Sequence, residues 1–391
     1  MGAEGRTLTG ETNVEPGSGG GSGGGGGSAS GVGSPGGGGC DATAATPGNP
    51  AAGDLAPGDL AVVLSHYDLG VIERIEPIGR GTASTPKFVV RSERGAYVVK
   101  RRRERAEEAA RVAYTHAVQL TLTRAGYPCP SLLGTARHRS SVVTHGGRMF
   151  ELHTLVRGRR RRGTAEEARS AGALLARWRR VLDGATIGAR GHRGSFHAAP
   201  VVESRLAAIP ADAADAAAGV LDAYRRARDA VDAAGFAEWP IGPVHGDYHP
   251  GNLLFDDDGS ARWVLDFDRT RIDARATDVA TGLLQFSLTR SGDGPAAWSG
   301  EADPERLGAF WDGFVRELEG SGVGSVERVL GEGAVEAMPM LMIEALIAES
   351  AGEAATGERS GPMTGEAFVS MVGRKAAWLE ERARSEERRV G

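Results

Sequence analysis

Val244-His245-Gly246-Asp247-Tyr248-His249-Pro250-Gly251-Asn252-Leu253-Leu254-Phe255, with Trp263-Val264-Leu265-Asp266-Phe267-Asp268 shortly after it, is the stretch from which the fold can be read. Between the two segments, Asp256-Asp257-Asp258-Gly259 is a turn signal, so together they predict strand, tight turn, strand. Such a hairpin places Asn252, at the start of one strand, near Asp266, at the end of the other. Asp247 sits five residues before Asn252 on a segment that His249, Pro250 and Gly251 keep out of helix.

Three polar side chains in this arrangement suit phosphoryl transfer from a nucleotide. That chemistry needs a group to orient an acceptor hydroxyl and take its proton, and divalent metal ions to neutralise charge on the phosphates. Mg²⁺ prefers one or two carboxylate-type ligands, with water and phosphate completing its shell. The Asp-x-x-x-x-Asn spacing is also that of kinase catalytic loops.

On these residues the sequence resembles the aminoglycoside phosphotransferase and choline-kinase-like enzymes, relatives of the protein kinases. His-Gly-Asp-Tyr-His-Pro-Gly-Asn followed by Leu-Asp-Phe-Asp looks like that family's catalytic and metal-binding signature. The resemblance implies that Asp247 is the catalytic aspartate, that Asn252 and Asp266 are the metal ligands, and that His245 is the loop's structural histidine. Asp268 joins them as a supporting residue. It further implies ATP and Mg²⁺ as cofactors and a small-molecule hydroxyl as acceptor. The competing account, a surface hairpin with incidental acids, requires two spaced motifs to agree by chance.

Composition sets outer bounds. Of the 391 residues, roughly the first 58 are rich in Gly, Ser, Pro and Ala, as in Gly23 to Gly27, and offer little to bury. They predict a disordered tail (1–58) ahead of a domain over 59–391; an irregular repeat argues against a fusion linker. No basic start with an apolar core marks a targeting peptide, and no apolar run is long enough to span a membrane. Two cysteines, Cys40 and Cys129, form no disulfide framework and point to a reducing compartment. A net charge of −5 does not suggest a general nucleic-acid-binding surface. The expectation is a soluble cytoplasmic protein.

The chain in order predicts a first lobe and hinge over 59–156 and a second lobe over 157–391. Val71 to Ile78, Lys87 to Arg91 and Ala96 to Lys100 read as β-strands, with a turn at Gly79-Arg80-Gly81 and another at Gly95. By resemblance Lys100 contacts the nucleotide's α- and β-phosphates as a compact point charge. Gly79 and Gly81 would let backbone amides approach phosphate, although a Gly-x-Gly in a hairpin is more often just a turn. A helix is expected from Arg101-Arg102-Arg103 to about Arg124. Family members carry a glutamate in this helix, paired with the strand lysine. Here the matching neighbourhood is Tyr114-Thr115-His116-Ala117, and the nearest acids, Glu107 and Glu108, lie about two turns earlier. Either another group holds the lysine or the helix is shifted.

Ser141 to Thr144 and Met149 to His153 predict a further hairpin. The resemblance makes the end of its second strand, from Glu151 onward, the interlobe hinge next to adenine. The basic run Arg157 to Arg162 is a solvated loop or a steering patch for an anionic acceptor. Beyond it helices are expected at Ala165 to Leu182, Ala211 to Ala234, Ala276 to Leu288, around Phe310, from Met338, and around Phe368. Asp278 matches the family's aspartate that braces the catalytic loop, and as a first-turn acid it also suits an ordinary helix start.

The fold class expected is α+β, a bilobal protein-kinase-like domain with a β-rich first lobe and a helical second lobe. The expected function is an ATP-dependent kinase acting on a small alcohol such as an amino alcohol, an aminoglycoside or a homoserine-like acceptor. Two alternatives stand beside it: a nucleotide-binding pseudokinase or scaffold, motivated by the missing helix glutamate, and a protein kinase. The short segment between Asp266 and Ala276 leaves little room for a peptide-docking loop.

Overall fold

The computed structural model describes residues 57–79, 85–102, 108–209, 211–289, 295–322, 324–356 and 366–390. The Gly/Ser-rich stretch through Ala56, Cys40, Gly81 and Arg103 lie outside the described residues.

The first lobe is an all-antiparallel five-stranded sheet. Its strands are β1 (Ile72–Pro77), β2 (Lys87–Ser92), β3 (Gly95–Arg101), β4 (Val143–His145) and β5 (Arg148–Thr154), in the order β1-β2-β3-β5-β4. The period of two divides each strand between faces. Phe88, Val90, Val99, Phe150 and Leu152 line one face and bury against α1 (Pro57–Ser65), which contributes Leu60, Val63 and Leu64. The opposite face carries the intervening residues, several of them charged. Lys87 pairs with Lys100, and Lys100 pairs with Glu151, giving a charged row across β2, β3 and β5.

Two sequence expectations for this lobe change. Helix α1 was not foreseen, because its short apolar run adjoins sequence with nothing to bury. Arg101 and Arg102 do not open a helix. Arg101 completes β3, and the Arg102 amide donates to the Met149 carbonyl at 2.9 Å, extending the ladder. Helix α2 is described only from Glu108 to Arg124.

The second lobe is helical. Helix α3 (Ala165–Leu182) begins with a capping box, in which Thr164 accepts from the Glu167 amide and Glu167 returns the bond. Its stripe of Ala168, Ala171, Leu174, Leu175 and Trp178 is buried, as the 3.6-residue period predicts. Helix α4 (Pro200–Ala207) was not anticipated; α5 (Ala214–Ala233) matches the alanine-rich helix, and Gly235 beyond it has φ of +87°. Strands β6 (Ile241–Val244), β7 (Leu253–Phe255), β8 (Ala261–Val264) and β9 (Arg271–Ala274) form two small two-stranded sheets, β6 with β9 and β7 with β8. Then follow α6 (Ala276–Ser287), α7 (Pro304–Gly320), α8 (Val326–Leu330), α9 (Met338–Thr356) and α10 (Glu366–Val390).

Helices α3 and α7 touch backbone to backbone. A Cβ on Gly172 would overlap the Phe310 carbonyl, and one on Gly313 would overlap that of Arg169, so glycine is required on both sides of the crossing. Among the described residues, no helix is long and apolar enough to cross a membrane.

Candidate active site

The loop between β6 and β7 is built from the inside out. Asp278, buried in the first turn of α6, accepts from the backbone amides of His245 (2.6 Å) and Gly246 (2.9 Å). Gly246 has φ of +74°, and a Cβ there would run into the Arg269 carbonyl and the Arg271 guanidinium. The His245 ring is fully buried between Trp178, Tyr248 and Phe267 and donates through Nε2 to the Leu265 carbonyl at 3.0 Å. Burial holds its pKa below the usual histidine value, in spite of the carboxylates of Asp278 and Asp247 nearby, so the ring is a neutral donor. Tyr248 Oη donates to the Ala171 carbonyl (2.8 Å), and Trp178 Nε1 donates to the Pro243 carbonyl (2.9 Å). Helix α3 thereby fixes the strand entering the loop and the middle of the loop.

This scaffold holds Asp247 and Asn252 together. Asn252 Nδ2 donates to the Asp247 carbonyl and to its Oδ2, both at 3.0 Å. Spending the amide hydrogens there leaves the side-chain oxygen Oδ1 as the atom Asn252 can offer a cation. Burial pushes the Asp247 pKa upward, but His249 and Arg269, each with a nitrogen 3.7 Å from the carboxylate, outweigh it and bring the value down to about 2. Asp247 is therefore an ionised acceptor at neutral pH.

Asp266 lies beside this pair because the Leu265 amide donates to the Asn252 carbonyl at 2.8 Å. Its backbone is left-handed, with φ of +60°, a conformation that aspartate tolerates better than most residues. The side chain reaches to the first lobe, where Lys87 Nζ donates to Oδ2 (2.8 Å) and Lys100 Nζ to Oδ1 (3.0 Å). Burial would raise the Asp266 pKa; the lysine charges, Lys100 before Lys87, hold it well below the carboxylate range.

Lys100 is the hub of an ion cluster. Its ammonium also meets Asp268 at 2.5 Å and Glu151 at 3.7 Å. Burial lowers its pKa, but Asp266 first, then Asp268 and Glu151, outweigh it and hold the pKa above the ordinary lysine value. Arg102 pairs with Asp268 and, at 3.6 Å, with Glu151. Glu151 is 2 % exposed and accepts from His116 on α2 (2.7 Å) and His153 (3.2 Å). Burial favours its neutral form, but the histidine hydrogen bonds and the charges of Lys100 and Arg102 prevail and keep it ionised. The glutamate missing from α2 thus has a substitute on β5, and the helix supplies His116 in its place.

Of the residues singled out from sequence, the structure brings together Asp247, Asn252, Asp266, Asp268, Lys100, Glu151, His245 and Asp278. It places Glu151 inside β5 with its carboxylate on Lys100, three residues before the strand ends. Gly79 is exposed, and a Cβ there would meet no atom within 4 Å. Sequence reasoning passed over Lys87, Arg102 and the part played by His116. Lys87 was findable: the Ser92/Gly95 hairpin closure fixes the register, and counting back from it sets Lys87 against Lys100.

Arg157, Arg160 and Arg162 of the basic run are exposed, as a solvated loop would have them, while Arg159 is part of the structure. Arg159 exchanges backbone hydrogen bonds with Phe255 (2.8 and 2.9 Å) and pairs with Glu167, while Arg160 donates to the Gly251 carbonyl at 2.6 Å. These contacts tie the segment between the lobes to β7 and the loop before it.

Among the described residues, no three His, Cys, Asp or Glu side chains are grouped to hold a metal. Asn252 and Asp266 offer one amide oxygen and one carboxylate, a donor set that fits Mg²⁺ completed by water and phosphate better than a cation needing an all-protein cage.

Comparison with known proteins supplies the family and the fold. The model of the phosphotransferase enzyme family matches residues 74–324. A homoserine kinase from Xanthobacter autotrophicus is 28% identical over 241 residues, covering 61% of this chain and 72% of that protein. Among solved structures, a microcompartment-associated aminopropanol kinase superposes with a TM-score of 0.60 at 15% identity, covering 83% of this chain and 96% of the other. An amicoumacin kinase in complex with AMP-PNP and Ca²⁺ also reaches 0.60, at 13% identity, covering 85% and 96%. The fold is kinase-like, and the chain belongs to the phosphotransferase enzyme family, whose chemistry here is transfer to an alcohol hydroxyl.

Proposed function

We propose that this protein is an ATP-dependent, Mg²⁺-requiring kinase of a small-molecule alcohol, with amino alcohols and homoserine-like compounds as the first acceptor class to test. The observation that carries the reading is the pairing of an ionised Asp247 with Asn252, beside an Asp266 held by two lysines. The relatives' names support it: homoserine and aminopropanol are both small alcohols carrying an amine, and the amicoumacin kinase binds an ATP analogue with a divalent cation.

In this reading Asp247 accepts a hydrogen bond from the acceptor hydroxyl, aligns its oxygen and takes its proton as that oxygen bonds to the γ-phosphorus of ATP. The bond from the γ-phosphorus to the bridging oxygen breaks in the same step, releasing ADP. Asn252 keeps the Asp247 carboxylate in one orientation. Asp266 and Asn252 would hold Mg²⁺, which when bound neutralises phosphate charge. Lys100, fixed from behind by Glu151 and Asp268, presents its ammonium to the phosphates.

The pseudokinase alternative drew its motive from the missing helix glutamate, and Glu151 removes that motive. The protein-kinase alternative gains nothing, since only a 3-10 turn (Phe267–Arg269), Thr270, β9 and Arg275 separate Asp266 from α6. Incubation with ATP, Mg²⁺ and a panel of small alcohols, read by mass spectrometry, tests the proposal; phosphate appearing only on polypeptides would replace it with the protein-kinase reading.

A further inference from the structure

Lys87 and Lys100 stand opposite each other on β2 and β3, and both ammonium groups bond one carboxylate, that of Asp266. Like charges directly across a strand pair repel, so an anion between them is a requirement of this arrangement. The two lysines are otherwise unequal. Lys100 is 6 % exposed at its side chain and retains Asp268 and Glu151 if Asp266 is withdrawn. Lys87 is 22 % exposed, and Asp266 is its one ion-pair partner among the described residues.

We infer that Lys87 is a second phosphate-binding lysine, a mobile ligand for the nucleotide's polyphosphate chain alongside the fixed Lys100. The inference rests on the nucleotide reading above. An Asp266 carboxylate engaged by a metal no longer satisfies two ammonium groups. Lys100 is still held by two carboxylates, whereas Lys87 is left as a partly desolvated cation on the cleft face. An unpaired, partly buried charge is costly. The polyphosphate that arrives with the metal supplies the missing anion, and four methylenes give Lys87 the reach to turn from one to the other. Such a residue adds affinity for phosphates and none for adenosine.

The test is calorimetric titration of ATP and of AMP, with Mg²⁺ present, into the full-length protein and its Lys87→Met and Lys87→Arg variants, with thermal unfolding checked for each. Lys87→Met is expected to weaken ATP binding about tenfold or more, the ordinary loss for a charged hydrogen bond, to leave AMP nearly unchanged, and to be partly rescued by Lys87→Arg. Equal losses for ATP and AMP, or no loss for ATP, would overturn the inference. Should Lys87→Met fail to fold, Lys87→Gln carries the same comparison. Failure of the wild-type protein to bind ATP is a separate outcome and overturns the nucleotide reading itself.

Discussion

Lys100 and Glu151 face each other in the β3–β5 register, with charged atoms 3.7 Å apart and both residues closed to solvent. The lysine is thus braced from within its own sheet, and α2 contributes through His116, which donates to the same glutamate. Because strand register is set by the whole ladder, the brace does not depend on how α2 is docked.

Removing one member of this buried cluster should be severe. Glu151→Ala is expected to cost about 3–5 kcal/mol of stability, since it leaves Lys100 and Arg102 with an anion missing in a desolvated site. Urea unfolding measures it directly. A variant as stable as wild type would show that Glu151 is not the anchor of the cluster.

Asp247 and Asp266 should separate kinetically. Asp247→Asn is expected to lower kcat by roughly 10²–10⁴-fold with ATP affinity moved only a few-fold, because it alters a group acting on the acceptor proton. Asp266→Asn should instead weaken Mg²⁺-dependent nucleotide binding and leave metal-free AMP binding intact. Steady-state kinetics with titrations decide both, and near-wild-type turnover in Asp247→Asn would refute its role.

Two histidines should impose opposite pH dependences on stability. His245 is kept neutral by burial, so its folded pKa lies below the unfolded value near 6.5. Its contribution is fully present above that pH and is lost as pH falls toward the folded pKa, because the unfolded chain binds the proton first. His197 is the reverse. Burial lowers its pKa, but hydrogen bonds to Glu344 (2.9 Å) and Asp232 (3.1 Å) raise it on balance. That contribution is present below pH 6.5 and fades as pH rises through the folded pKa. In Tm profiles between pH 5 and 8, His245→Gln should flatten the acid-side fall and His197→Gln should flatten any alkaline-side fall. Parallel profiles for wild type and both variants would contradict these assignments.

How far the site could be read in advance depended on where its contacts run. Asp247, Asn252 and Asp266 were legible because one short hairpin joins them, and the Asp278 brace followed from resemblance. Lys87 was legible in principle through hairpin counting. Glu151 opposite Lys100 was not, since β3 and β5 are separated by α2 and a loop, and no local turn fixes their register. Helix α4 escaped because its short segment lacks a full apolar period, and Arg102 because a basic triplet before a helix looks like a helix start. The longer helices of the second lobe were plain from their 3.6-residue stripes, while the five-residue α8 was not foreseen. The α3–α7 crossing depends on two glycines whose role only packing reveals.

Gly246→Ala should damage activity more than its size suggests. The left-handed backbone costs a non-glycine residue about 1–2 kcal/mol, and the overlap with the Arg269 carbonyl must also be relieved. Relief moves the Asp247 loop away from its Asp278 brace. The expected result is a large fall in kcat with the fold retained by circular dichroism; unchanged kcat would show that the loop tolerates displacement.

The account's central claim is transfer of phosphate from ATP to a small alcohol at Asp247, and acceptor-dependent ADP formation measures it most directly. Wild-type protein with ATP, Mg²⁺ and an amino-alcohol or homoserine-like acceptor should release ADP while the acceptor gains one phosphoryl group by mass. Chelating the metal, or replacing Asp247 with Asn, should suppress both signals together. Tight ATP binding with no acceptor phosphorylated across the panel, or transfer that persists undiminished in Asp247→Asn, would contradict the claim.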